Sequence, residues 1–392
     1  MTRIRTAGTL AAALVWASSA LGQTIVPEKA GKGLAFVAAD SSFSVKFNGR
    51  IQNLYAGELN LNDDSYNDRF SVRRARLKMD GFAFDPALEY KIELALSNQD
   101  ISGGTEVNGN TANIVLDAVA KWQFAPRFSL WFGQTKLPGN RERLVSSQKL
   151  QLVDRSMLNS RYNLDRDVGI QLHHEASAGN ALWRQIVSVS MGEGRNITTG
   201  NTGGYDYTGR LEFLPFGAFK SEGDYTGGDL AREEMPRLSL AVTYDYNDGA
   251  TREGGQTGDF LSASRDLKTI FADAMFKYRG FSAMAEYADK RSSGSPVVTN
   301  AADGSVQEAF FTGTGMNVQA GYLLGRAVEI AGRYTAIRPE RITQRDRTRQ
   351  YTLGVSKYLA GHTVKVQSDL SLLDEAGDAS ELMYRFQVEI GF

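Results

Sequence analysis

Two stretches of the chain concentrate groups that bind anions. The first is Arg69-Phe70-Ser71-Val72-Arg73-Arg74-Ala75-Arg76-Leu77-Lys78-Met79-Asp80, with five bases against one acid. Side chains of a strand alternate between two faces, so Arg74, Arg76 and Lys78 fall on one side and Ala75, Leu77 and Met79 on the other. Arg73 then falls on the apolar side, unless it lies near a rim or a bulge switches its face. Arg50, in phase with Lys46 and Asn48, joins the basic face from the preceding strand. The second stretch, 133–166, holds seven bases and three acids around the hydroxyl pair Ser146-Ser147. Guanidinium forks match oxyanions bidentately, and rings of Arg and Lys select anions. A plainer reading pairs the same cations with nearby acids, for which Glu89, Glu93 and Asp117 are available.

Other chemistries find little support. The three histidines, His173, His174 and His362, have no nucleophile motif beside them, and there is no cysteine. No Cys/His metal spacing occurs, and Asp63-Asp64 with Asp68 reads as a solvated loop. The chain is therefore expected to be neither an enzyme nor dependent on a cofactor. Its net charge of −1 excludes a globally basic nucleic-acid binder.

The elements that must position these groups are strands. From Glu381 to Phe392 apolar and polar residues alternate without a break, with Leu382, Tyr384, Phe386, Val388, Ile390 and Phe392 on one face. Similar runs recur along the chain, joined by turns such as Asp85-Pro86, Ala125-Pro126, Arg279-Gly280 and Gly325-Arg326. Sixteen strands are expected, with short turns alternating with long loops at 60–68, 99–110, 137–166, 193–204, 247–266, 289–313, 337–348 and 373–380. An antiparallel sandwich also alternates but has no reason to gather its long loops at one end. The pattern predicts an all-β fold, a transmembrane up-and-down barrel. Folded into it, the long loop 137–166 would narrow the pore. The segment 216–234 does not fit, being too long for a turn.

The amino terminus carries Arg3 and Arg5, an apolar run from Leu10 to Val15 and small residues up to Gly22. This predicts a signal peptide over 1–22, a periplasmic lead-in over 23–40 and a barrel over 41–392. No apolar run is long enough for a membrane helix, so a membrane location requires a closed barrel.

One segment carries a family resemblance: Gly133-Gln134-Thr135-Lys136-Leu137-Pro138, then Glu142-Arg143-Leu144-Val145-Ser146-Ser147, then Asp154-Arg155-Ser156 with Asn159. It resembles the third loop of the phosphate-selective porins O and P. Arg73-Arg74-Ala75-Arg76-Leu77 with Gly81 and the Asp85-Pro86 turn is similar to that family's second strand and first turn. The resemblance implies a trimeric barrel of the bacterial outer membrane, its third loop folded into the pore, that passes phosphate or related small oxyanions, in contact with outer-membrane lipid and lipopolysaccharide. It points to Arg50, Arg73, Arg74, Asp117, Arg143, Ser146 and Ser147 as the anion constriction, to which the basic ladder adds Arg76. Thr135 replaces the family's usual aromatic, and Pro138-Gly139-Asn140 departs from its usual loop tip. The alternative is a general, non-selective porin in which the arginines only shape a transverse field. The Arg-rich stretch from Arg338 to Arg349 reads as a solvated outer loop that binds lipopolysaccharide or nothing.

Overall fold

In the computed structural model of the protein, the described residues are 23–26, 33–101, 113–198, 200–201 and 203–392. The expected signal peptide lies outside them. Each alternating run forms a strand, beginning with β1 (Ser44–Asn60), β2 (Tyr66–Ala83), β3 (Asp85–Ala95) and β4 (Val115–Ala125). Next come β5 (Phe128–Lys136), β6 (Arg166–Ala178), β7 (Ala181–Ser190) and β8 (Asp206–Leu214). The second half contributes β9 (Arg237–Arg252), β10 (Phe260–Tyr278), β11 (Phe281–Ser292) and β12 (Gly313–Leu324). Finally there are β13 (Val328–Pro339), β14 (Thr348–Ala360), β15 (Val364–Glu375) and β16 (Asp378–Gly391).

The described residues thus form a closed barrel of sixteen antiparallel strands, sealed where β16 pairs with β1 from Glu381↔Asn60 to Gly391↔Arg50. Closure leaves no sheet edge, the condition for crossing lipid with strands. Outside the barrel's sixteen strands, Gln23–Val26 pairs antiparallel with Leu34–Ala38, which pairs with the start of β1, and Val297–Asn300 pairs with Val306–Ala309.

The two faces reverse the pattern of a soluble protein. Phe132, Val187, Ile330, Leu353 and Phe386 are exposed on the outside, while Arg210, Asp245, Lys277, Lys365 and Glu389 are buried inside. An outward apolar belt around a polar interior is what lipid and water demand of such strands. Leu353 lies midway along β14 and Leu359 near its end, both exposed. Leu353→Arg is expected to destabilise the barrel by about 2–4 kcal/mol and Leu359→Arg by no more than about 1 kcal/mol. Urea unfolding in lipid, followed by the gel mobility of the folded barrel, checks the difference.

Several strands run farther than alternation implies. The expected loop 247–266 shrinks to 253–259, because β9 and β10 continue as a paired ribbon. Beyond the hydrocarbon both faces meet water, so alternation fades while the hydrogen-bond ladder continues. The segment 215–236 joins β8 to β9 at the end of the barrel where the other connections are short turns.

Candidate functional site

The second strand carries a correction to simple phase. Gln52 of β1 pairs with Arg74 but Asn53 pairs with Val72, so Arg73 is the extra residue of a β-bulge. Val72 and Leu77 stay on the exposed face while Arg73 and Arg74 both turn inward, where they hold one carboxylate. Arg73 Nε donates to Asp154 Oδ2 at 2.9 Å and Arg74 Nη2 to Asp154 Oδ1 at 2.9 Å. Arg74 also donates to Gln52 Oε1 at 2.9 Å.

Arg50 is neutralised similarly. Its Nη1 lies 3.3 Å from Glu389 Oε1, and its Nη2 donates to Ser147 Oγ at 2.7 Å. Arg76 donates to both oxygens of Asp100, at 2.5 and 2.8 Å, and to Glu93 Oε1 at 3.0 Å. Asp117 accepts from Lys91 Nζ at 2.7 Å and Arg166 Nε at 3.0 Å, fixing two cations against the wall. The basic ladder is therefore largely a row of ion pairs, as the plainer reading has it.

The segment 137–165 supplies many of these partners. It contains α1 (Arg141–Leu144) and α2 (Met157–Tyr162). Ser156 accepts from Asn159 N at 3.3 Å as the N-cap of α2, and donates to Glu142 Oε2 at 2.5 Å. Interior-face side chains far apart around the barrel hold the segment. Arg141 Nε donates to Asp273 Oδ1 at 2.9 Å, Gln151 Nε2 to Glu329 Oε1 at 2.6 Å, and Asp369 Oδ2 accepts from Val153 N at 3.1 Å. Leu137, Leu158, Tyr162 and Leu164 pack against Phe271, Ala288 and Ile337.

Between this segment and the walls of β2 to β7 lies a cavity of about 720 Å³, lined by ten basic and five acidic side chains. Of the residues singled out from sequence, Arg76, Asp117, Arg143, Ser146 and Ser147 line it, whereas Arg50, Arg73 and Arg74 do not. Ser146 caps the short turn after it, accepting from Gln148 N at 3.4 Å.

Two lining cations outside the expected set are distinctive. Lys136 Nζ donates to Leu144 O at 3.0 Å and Val145 O at 3.5 Å. Arg155 Nε donates to Glu142 O at 2.9 Å and its Nη2 to Val145 O at 2.7 Å. Both charges converge on one neutral carbonyl, and among the described residues neither forms a salt bridge. Burial, and then the charge of Arg74, pull Arg155 down to about 9. Arg143, which pairs with Asp165, is held well below its ordinary value by burial and then by Arg155 and Arg166. Like charges crowd here beyond what the nearby acids offset. Both Lys136 and Arg155 stand in the motifs of the loop, but only folding reveals which loop cations lack a carboxylate.

Comparison with known proteins agrees with this architecture. The model of the family phosphate-selective porin O and P matches residues 45–381. An uncharacterized protein of Aquifex aeolicus (strain VF5) is 24% identical over 305 residues, covering 70% of this chain and 67% of that protein. Among solved structures, an anion-selective porin from Comamonas acidovorans superposes with a TM-score of 0.55 at 12% identity, over 89% of this chain and 100% of that one. The trimer form of OmpT from Vibrio cholerae gives a TM-score of 0.55 at 11% identity, over 90% of this chain and 100% of that one. The outer membrane channel DcaP of Acinetobacter baumannii gives 0.54 at 13% identity, over 90% and 98%. These likenesses show the barrel fold, and the family match over most of the chain shows more: the protein is an outer-membrane porin and belongs to the phosphate-selective porin O and P family.

Proposed function

We propose that the barrel is an anion-selective pore, exported by the signal peptide at 1–22, that passes phosphate or related small oxyanions by diffusion. In this reading the segment 137–165 lies within the pore and narrows it, and the cavity beside it is the path. The observation that carries the proposal is the convergence of Lys136 and Arg155 on the Val145 carbonyl, with Arg143 and Arg166 near them in the lining. An entering oxyanion offsets like charges that the protein leaves uncompensated and exchanges its water for N–H donors. Because Arg50, Arg73, Arg74 and Arg76 are bound to carboxylates, their part is to hold the constriction and add to its field. Ser146 and Ser147 place hydroxyls at the same wall. Selectivity then rests on charge, and release stays easy because the loop cations have protein carbonyls to return to.

The five acids in the lining, Asp117 and Glu93 among them, favour a second reading, a general porin with a transverse field. Currents through single channels in planar bilayers separate the two. Under a potassium chloride gradient the reversal potential should show preference for chloride, and added phosphate should lower the chloride current in a saturable way. A permeability ratio near one with no phosphate block would leave only the general porin.

The trimer form of OmpT supports a homotrimer for this protein. The exposed belt would face lipid and neighbouring copies, and the arginines of 338–349 would meet lipopolysaccharide.

A further inference from the structure

The segment 215–236 occupies a place where the barrel otherwise has short turns, and it runs across the mouth. Near the turn between β6 and β7, a Cβ on Gly217 would lie 2.9 Å from Asn180 O. At the turn between β10 and β11, Asp229 Oδ2 accepts from Gly280 N at 2.7 Å and Glu233 O from Arg279 N at 2.9 Å. At the turn between β12 and β13, Arg232 Nη2 donates to Leu323 O at 2.7 Å. The segment also reaches inward to the third loop: Gly227 N donates to Lys149 O at 2.6 Å, and Arg141 Nη1 to Asp224 O at 3.4 Å. Lys277 of β10 donates to Thr226 O at 2.9 Å. Asp224, Asp229 and Glu233 are buried although they sit on a connection between strands.

Its tip is strained and pinned. Ser221 and Glu222 are consecutive non-glycine residues in the left-handed region, at φ 52° and 53°. Non-glycine residues seldom adopt this conformation and keep it where the surroundings impose it. Here Arg184 Nη1 holds Asp224 Oδ2 at 2.5 Å, and Tyr225 donates to Glu212 Oε2 at 2.7 Å. The pinned tip puts Glu222 and Tyr225 into the lining of the cavity, together with Lys121 and Arg127.

We propose that 215–236 is a strap that closes the sector of the mouth along β8 to β13, so that solute leaves only along β3 to β7, past Glu222 and Tyr225. These two residues then set the size and charge of what passes that end of the pore. The strap acts with the third loop, which it grips, so the open path is eccentric rather than axial. This rests on the reading that solute moves through the cavity, but not on the sign of its charge.

The chain has no cysteine, so Glu222→Cys can be modified alone. In planar bilayers with the full-length channel, attaching a bulky thiosulfonate reagent to that thiol should cut single-channel current by roughly half or more. Undiminished current, with attachment verified by mass, would overturn the proposal. Replacing 219–230 by a short Gly-Ser turn should raise conductance about twofold, since a closed sector opens. A folded variant of unchanged conductance would also overturn it. If the shortened variant does not fold, the cysteine result stands alone and decides. The reversal potential, read in the same bilayers, reports on anion preference separately. Its failure with the block intact would count against the selectivity proposal and leave the strap standing.

Discussion

Arg155→Gln should reduce the anion-to-cation permeability ratio about tenfold, more than any change in the ladder on β2. At ~6 Å and an effective dielectric of about 40, a unit charge is worth about 1.4 kcal/mol to a passing ion, or a factor of ten. Arg155 lines the cavity and its guanidinium donates to the Glu142 and Val145 carbonyls, forming no salt bridge among the described residues, so its charge is available to a solute. Glutamine keeps a donor for one carbonyl and limits disturbance of the loop. Lys136→Met should act the same way, and the double variant more strongly. Arg74→Ala is the contrast. Its guanidinium is spent on Asp154 and Gln52 away from the cavity, so selectivity should change little while folding weakens. Reversal potentials under a salt gradient, with phosphate titrated against chloride current, measure all four. Equal effects of Arg74→Ala and Arg155→Gln would show that the field of the whole ladder selects, and not the loop cations.

Asp154→Ala is expected to have the largest effect on the seating of the third loop. Asp154 is the one carboxylate that both bulge arginines hold. Removing it leaves Arg73 and Arg74 without their shared partner on an interior wall. Breaking a buried pair typically costs 3–5 kcal/mol, and the lower end, about 3, applies because the Asp154 and Arg73 side chains keep 21% and 23% exposure. Barrel strands should survive, since their ladder does not depend on the loop. The loss should appear as noisy current, higher conductance and protease access within 137–165, with Asp154→Asn intermediate.

The same contact has a defined pH window. Burial alone would raise the Asp154 carboxyl, but Arg74, Arg73 and Arg385 hold it well below the ordinary aspartate range. A depressed carboxyl contributes stability that is fully present above its unfolded value near 4, and that is lost as pH falls through its folded value. Conductance should therefore stay steady from pH 7 down to about 4, and become noisy only in stronger acid. Noise setting in between pH 5 and 6 would assign the pin to another group.

Much of the molecule is legible in the residues themselves. Alternation in Glu381–Phe392 and its counterparts is imposed by lipid on one side and water on the other, so strand number and the end bearing the long loops follow from a local period. The motifs of 133–159 identify the family because they are contiguous. The ends of strands are less legible, as the ribbon of β9 and β10 shows, because outside the bilayer the period loses its cause while the hydrogen bonds continue.

Tertiary structure decided matters that depend on what stands opposite. Arg73 faces inward only because a bulge against Gln52 and Asn53 shifts the phase, and strand period carries no record of a partner's register. The sequence shows acids available to Arg50, Arg74 and Arg76 without saying which they take, and folding gives them Glu389, Asp154 and Asp100. Lys136 and Arg155 look no different from them, yet their side chains donate to carbonyls and form no salt bridge among the described residues. Alternation along the strands determined that basic residues stand on the inner face of a barrel, whereas pairing across it decided which of those charges are bound to carboxylates.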